Sequence, residues 1–230
     1  FYVANHDFIV RHHGTHTLNY WANWPLCNLA SMLSIGIVSD RRDIYNEAVE
    51  HLLNGDSNGC LKKTIVHVFD GENASLAQIQ ESGRDQNHTM LGIGHLAEAC
   101  EIAYNQGNET LWSASENRLM KGYEYTAKYN LGYDVPFEPF TDVTGVRWNN
   151  ISDDDRGKFR PVFEIAYNHY VTRKGLEMPH TQQVISRISP EEDAMWCDHP
   201  GYGTLLFRTE SGMPPSEGAI DAKGTEWSVI

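Results

Sequence analysis

Positive charge is scarce in this sequence. Its 230 residues carry 18 Lys and Arg against 31 Asp and Glu, a formal net charge of −13. That balance leaves no basic stripe for a duplex, so nucleic acid is excluded as a partner. A small anionic substrate held by a few local cations remains open. Long apolar runs are missing too. The best, residues 29–38, is interrupted by Ser31, Ser34 and Gly36, which rules out a membrane span there. Only four cysteines occur (Cys27, Cys60, Cys100, Cys197), widely spaced and without a Cys-x-x-Cys pair. A zinc ribbon is not expected, and disulfides and buried free thiols stand as equal alternatives. Charged residues make up 21%, too few for disorder. The opening Phe1-Tyr2-Val3 does not read as a signal peptide and is what a mature or trimmed product is expected to show.

What is present suits one folded unit over residues 1–230, with 40% hydrophobic and 11% aromatic residues. Asn-x-Ser/Thr sequons at Asn73, Asn87, Asn108 and Asn150 point toward secretion. Asn23-Trp24-Pro25 predicts a helix start, with Gly36 stopping the helix after Ile35. Ser39 or Asp40 caps a second helix through Leu53, ended by Gly55. Further helices are predicted from Asp85 to Gly107, Thr110 to Tyr129, Pro161 to Gly175 and Thr181 to Ile188. Strands are expected at most in 60–70 and 200–208, and residues 131–158 form a long loop of the kind that often carries function. The expected fold is all-α: helical hairpins in a ring, odd helices inside and even ones outside. The polar starts of the inner helices then converge on one groove.

Three segments carry chemistry. In Arg11-His12-His13-Gly14-Thr15-His16, followed by Trp21, Asn23 and Trp24, a catalytic His sits beside an amide and aromatic platforms for sugars. A polar loop explains the same residues, and a metal site is a lesser reading because no carboxylate or Cys completes the set. In Gln80-Glu81-Ser82-Gly83-Arg84-Asp85-Gln86-Asn87-His88, a polar cluster opens an apolar helix. A buried helix with such a start should face a cavity, which would leave Asn87 unglycosylated, although a surface loop can look the same. In the third segment, Arg160 and Tyr167 are seven apart, hence on one face of a helix. An Arg beside a phenol favours the phenolate that a Tyr base requires. A core Tyr is the plain alternative, and Tyr123, Tyr125 and Tyr129 form a rival cluster.

With these residues in place, the sequence resembles the alginate lyase superfamily of polysaccharide lyases, most nearly the family 38 type of alginate and glucuronan lyases. The resemblance rests on residues 12–24, 80–88, 122–132 and 160–175. It implies an incomplete (α/α) toroid, secretion and β-elimination of an anionic, uronate-containing polysaccharide, with no cofactor. Toroids of this kind are longer, so the chain resembles a C-terminal portion whose partner would be missing N-terminal helices of the same protein. His13 stands at the catalytic His of the family's Asn-Asn-His-Gly-Thr-type motif, and His12 stands where a carboxylate-neutralising Asn is usual.

The elimination then assigns Tyr167 as base, acid or both, with Arg160 lowering its pKa and His13 or His88 as alternative bases. Glu81 (protonated), Gln86, His88 and Asn23 surround the substrate carboxylate. Arg84 fixes a neighbouring uronate, Trp21 and Trp24 stack on sugars, and Tyr125 is the fallback phenol. Two other classes compete: a glycoside hydrolase pairing Glu81 or Asp85 with Glu164 or Asp142, and a non-catalytic carbohydrate-binding fragment.

Overall fold

The computed structural model describes residues 1–193 and 198–209. It is mostly helical, as the sequence predicts. The order is α1 (Tyr2–Arg11), α2 (Asn23–Val38), α3 (Arg42–Asn54), α4 (Leu61–Thr64), β1 (Ile65–Val68), β2 (Ala77–Ile79), α5 (Gln86–Tyr104) and α6 (Thr110–Asn130). There follow β3 (Phe140–Thr141), β4 (Arg147–Trp148), α7 (Phe163–Tyr167), a π-helical turn (Asn168–Arg173), α8 (Pro179–Ile188) and α9 (Gly203–Leu206). Both two-stranded sheets are antiparallel, β1 with β2 and β3 with β4.

α5 is the spine. All but Asn87, His88, Glu98 and Ile102 of its residues are buried, and Met90, Ile93, Leu96, Ala97, Ala99, Cys100 and Ala103 form a broad apolar face. It packs on α2, α6 and α7; α2 also packs on α1 and α3, and α6 on α8. Leu26, Leu29 and Leu33 of α2, Trp112 and Tyr123 of α6 and Phe163 of α7 join the same core. At about 25 cal/mol per Å² of apolar surface, such wholly buried side chains are each worth roughly 1.5–3 kcal/mol.

Several boundaries differ from expectation. Gly36 does not stop α2, which runs on to Val38. A Cβ there would lie 2.7 Å from the Tyr45 backbone nitrogen, so this glycine serves the close approach of α3. Arg41, rather than Ser39 or Asp40, precedes α3. The last predicted helix but one begins at Phe163 rather than Pro161, and residues 168–173 widen into the π-helical turn. β3 and β4 lie within the predicted 131–158 loop. Residues 203–206 form a helical turn instead of a strand. Cys27, Cys60 and Cys100 are free thiols, and Cys197 lies outside the described residues.

Candidate functional site

The first turn of α5 is built by Asp85. Its Oδ1 accepts the His88 backbone N–H at 2.7 Å, the standard way an N-cap carboxylate satisfies a helix start. Its Oδ2 lies 2.7 Å from Nδ1 of the His88 ring. Burial works against charge on Asp85, but the two His88 hydrogen bonds and the Arg84 charge outweigh it and hold the carboxyl below its usual range. The ring is thereby oriented by a carboxylate, and its Nε2 has no partner among the described residues. That is the arrangement of an oriented base.

One turn earlier, the 3₁₀ turn Gln80–Gly83 brings in Glu81, only 1% exposed. Arg84 Nη1 donates to its Oε2 at 2.9 Å, while Oε1 is buried without a partner among the described residues. Burial pushes this carboxyl up to about 7, outweighing the opposing pull of Arg84 and His88. Arg84 therefore stands between a carboxyl that is easily protonated and Asp85, 3.6 Å from its Nε. The backbone N–H of Ala22 donates to Gln80 Oε1 at 3.1 Å, tying the start of α2 to this turn. Asn23 follows, buried, with its Oδ1 unpartnered among the described residues. Trp21 stacks on Trp148 with ring centroids 4.8 Å apart. Gly83 lies under that shelf, where a Cβ would sit 2.5 Å from Trp148 Cβ. Thus Glu81, Arg84, Asp85 and His88 form one linked group, with Asn23, Trp21 and Trp148 on adjoining segments.

Other expected residues lie differently. Gln86 is occupied at both ends: its Nε2 donates to the Ser82 and Ser152 carbonyls, and its Oε1 accepts from Asn130 Nδ2. It ties the 150s loop to α5, so it is not free for a substrate carboxylate. The Tyr125 hydroxyl is buried and donates to the Pro136 carbonyl at 3.0 Å, and burial pushes the phenol pKa well up. It is a packing residue, which removes the fallback. Arg160 precedes α7, and the non-helical Val162 intervenes, so the seven-residue spacing to Tyr167 is not a helical face. Arg160 Nε instead donates to Asn87 Oδ1 and to the Asn87 carbonyl at 2.6 and 3.1 Å. Tyr167 is half-buried against the apolar core, and its hydroxyl has no partner among the described residues.

His12 and His13 both adopt left-handed backbone, φ 48° and 53°, a strained conformation that clusters at functional sites. Their rings part company. His13 is exposed, with Nδ1 2.9 Å from the Tyr20 hydroxyl, in an aromatic group with Phe8. Tyr20 in turn meets the exposed Trp24. His12 is buried and lines a cavity of about 290 Å³ with Glu50, His51 and Asp56. Desolvation there lowers its pKa. Among the described residues, no hydrogen bond, ion pair or ring contact joins His13 or Tyr167 to the Arg84–His88 group. The hydrolase partners are also committed elsewhere: Glu164 binds Arg208 and Thr204, and Asp142 closes the exposed β3–β4 turn.

Sequence reasoning overlooked Asp85 as the His88 partner, Trp148, and a second group farther along α5. There His95 Nδ1 lies 3.0 Å from Glu98 Oε2, and His199 Nδ1 lies 2.8 Å from Glu98 Oε1. The His-x-x-Glu spacing puts the first two on one helical face and was visible in the sequence. The third comes from 101 positions on, which no local pattern reveals. No family model, no curated protein and no solved structure matches this chain.

Proposed function

We propose that this chain is a polysaccharide lyase that cleaves a uronate polymer of the alginate or glucuronan type by β-elimination. The observation that supports this reading most is the buried Glu81 carboxyl, raised to about 7 and set beside Arg84 and the Asp85-oriented His88. A protonated Glu81, with Asn23 and Arg84, suits a uronate carboxylate. Neutralising that carboxylate stabilises the enolate-like charge that forms when C5 loses its proton. His88 Nε2 takes the C5 proton. The C5–H electron pair becomes the C4–C5 double bond, the C4–O4 bond breaks, and O4 leaves with a proton from an acid. On one face of the sugar, His88 itself returns that proton. Tyr167 and the His13–Tyr20 pair are the other candidates for it. Trp21 and Trp148 offer a stacking shelf.

The contacts of α2 with α5 and of α5 with α7 suit an inner row of helices, and those of α3 with α6 and α6 with α8 an outer row, in part of an (α/α) toroid. Secretion as a glycoprotein belongs to the same reading. Incubation with polymannuronate, polyguluronate, glucuronan and hyaluronan tests it. A new ultraviolet absorbance from an unsaturated uronate on one of them is the expected result. New reducing ends without that absorbance indicate a hydrolase, and neither signal indicates a binding fragment.

A further inference from the structure

We infer that His95, Glu98 and His199 form a binding site for one divalent first-row metal ion, zinc in the first instance. The inference stands independently of the elimination reading. One donor atom from each residue lies within 4.8 Å of the other two. The two closest pairs, 3.0 and 2.8 Å, approach the spacing of about 3.3 Å between ligands of a tetrahedral zinc with bonds near 2.0–2.1 Å. Two imidazoles and one carboxylate are a donor set that suits such ions and not calcium or magnesium, which prefer oxygen alone.

Burial favours the same conclusion. The His199 side chain is 1% exposed and that of His95 7%. Bound through Nδ1, each ring keeps its proton on Nε2 while the ion takes the place between the rings and Glu98. Glu98 also lines a cavity of about 380 Å³ with Ser31, Glu101 and Asn105, which leaves an open side for a water ligand. His95 and Glu98 share one turn of α5, whereas His199 lies 101 residues away from Glu98. The ion would therefore fasten the segment carrying His199 to the spine of the fold.

The test strips the full chain with a chelator and titrates it with Zn²⁺ by calorimetry, beside H95A, E98Q and H199N. The expected result is one ion per chain. Each variant should bind it at least about 100-fold more weakly, beyond the roughly 10–100-fold lost when only a group orienting a ligand is removed. Thermal melts should show wild-type protein stabilised by Zn²⁺ and the variants not. Co²⁺ loaded into unmutated protein gives a readout that needs no variant: an intense visible spectrum of low-coordinate cobalt is expected. No saturable binding, retention of affinity within tenfold in E98Q and H199N, or a weak octahedral cobalt spectrum would each overturn the inference.

Discussion

Glu81 and Glu191 make an instructive pair. Both are nearly inaccessible, and burial pushes both carboxyls up to about 7. Their partners differ. Glu191 Oε1 accepts the backbone N–H groups of Phe163 and Glu164, at 2.7 and 3.1 Å, and so satisfies the start of α7. Gly203 closes over its other oxygen, leaving no room even for a methyl group. Among the described residues the Glu81 carboxyl has no backbone donor and bonds only the half-buried Arg84, one residue from the Asp85–His88 pair. A perturbed pKa alone does not mark a site. What separates the two is what the carboxyl oxygens bond: two backbone N–H groups at Glu191, a guanidinium at Glu81.

The sharpest way to break this comparison is to change the base beside one carboxyl and the helix start beside the other. His88→Asn should lower turnover by about 10²–10⁴-fold, the range for a positioned acid–base group, with the melting temperature little changed. Tyr167→Phe in parallel decides between the two proton carriers: if it loses as much and His88→Asn does not, the base is the phenol. Arg84→Gln should weaken polymer binding by about 1.5–3 kcal/mol, roughly 10- to 150-fold in KM, as for a hydrogen bond to a charged group. Glu191→Ala should do the opposite, costing about 1–3 kcal/mol of stability in denaturant unfolding through its orphaned N–H groups, with turnover per folded molecule kept. Trp21→Ala should have the smallest effect, about 0.5–1.5 kcal/mol in oligosaccharide affinity.

Titration sharpens the same contrast. A carboxyl raised from 4.5 to about 7 on folding binds more protons in the native state across that window. Both groups therefore contribute stability that is present at low pH and lost as pH rises from about 4.5 through 7. Glu81→Gln and Glu191→Gln should each flatten that decline in thermal melts. Only Glu81→Gln should also remove the alkaline fall in activity, because an amide stays neutral where the carboxyl ionises.

The helical class and the buried spine were legible because Met90, Ile93, Leu96 and Ala97 recur on one broad apolar face of α5. The polar start at Glu81–His88 was legible for the same reason, since a polar cluster on a buried helix must face something other than bulk water. Gly36 misled because local propensity reads glycine as a stop, whereas here it admits Tyr45 of α3. The Arg160–Tyr167 pairing failed because spacing presumes a continuous helix, and Val162 lies outside one. Gln86 and Tyr125 carry suitable chemistry but are occupied by Ser152, Asn130 and Pro136, partners distant in sequence. His199 was invisible beside Glu98 for that reason too.

The central claim is that the Glu81–Arg84–His88 group carries an elimination. The most direct measurement is the ultraviolet absorbance of polyuronate digests, followed in time with wild-type protein and with His88→Asn at matched, verified folding. The account predicts a rising signal from a C4–C5 double bond with wild type and its near-complete loss in the variant. Equal rates in both would contradict the assignment of His88, and bond cleavage by wild type without that absorbance would contradict elimination itself.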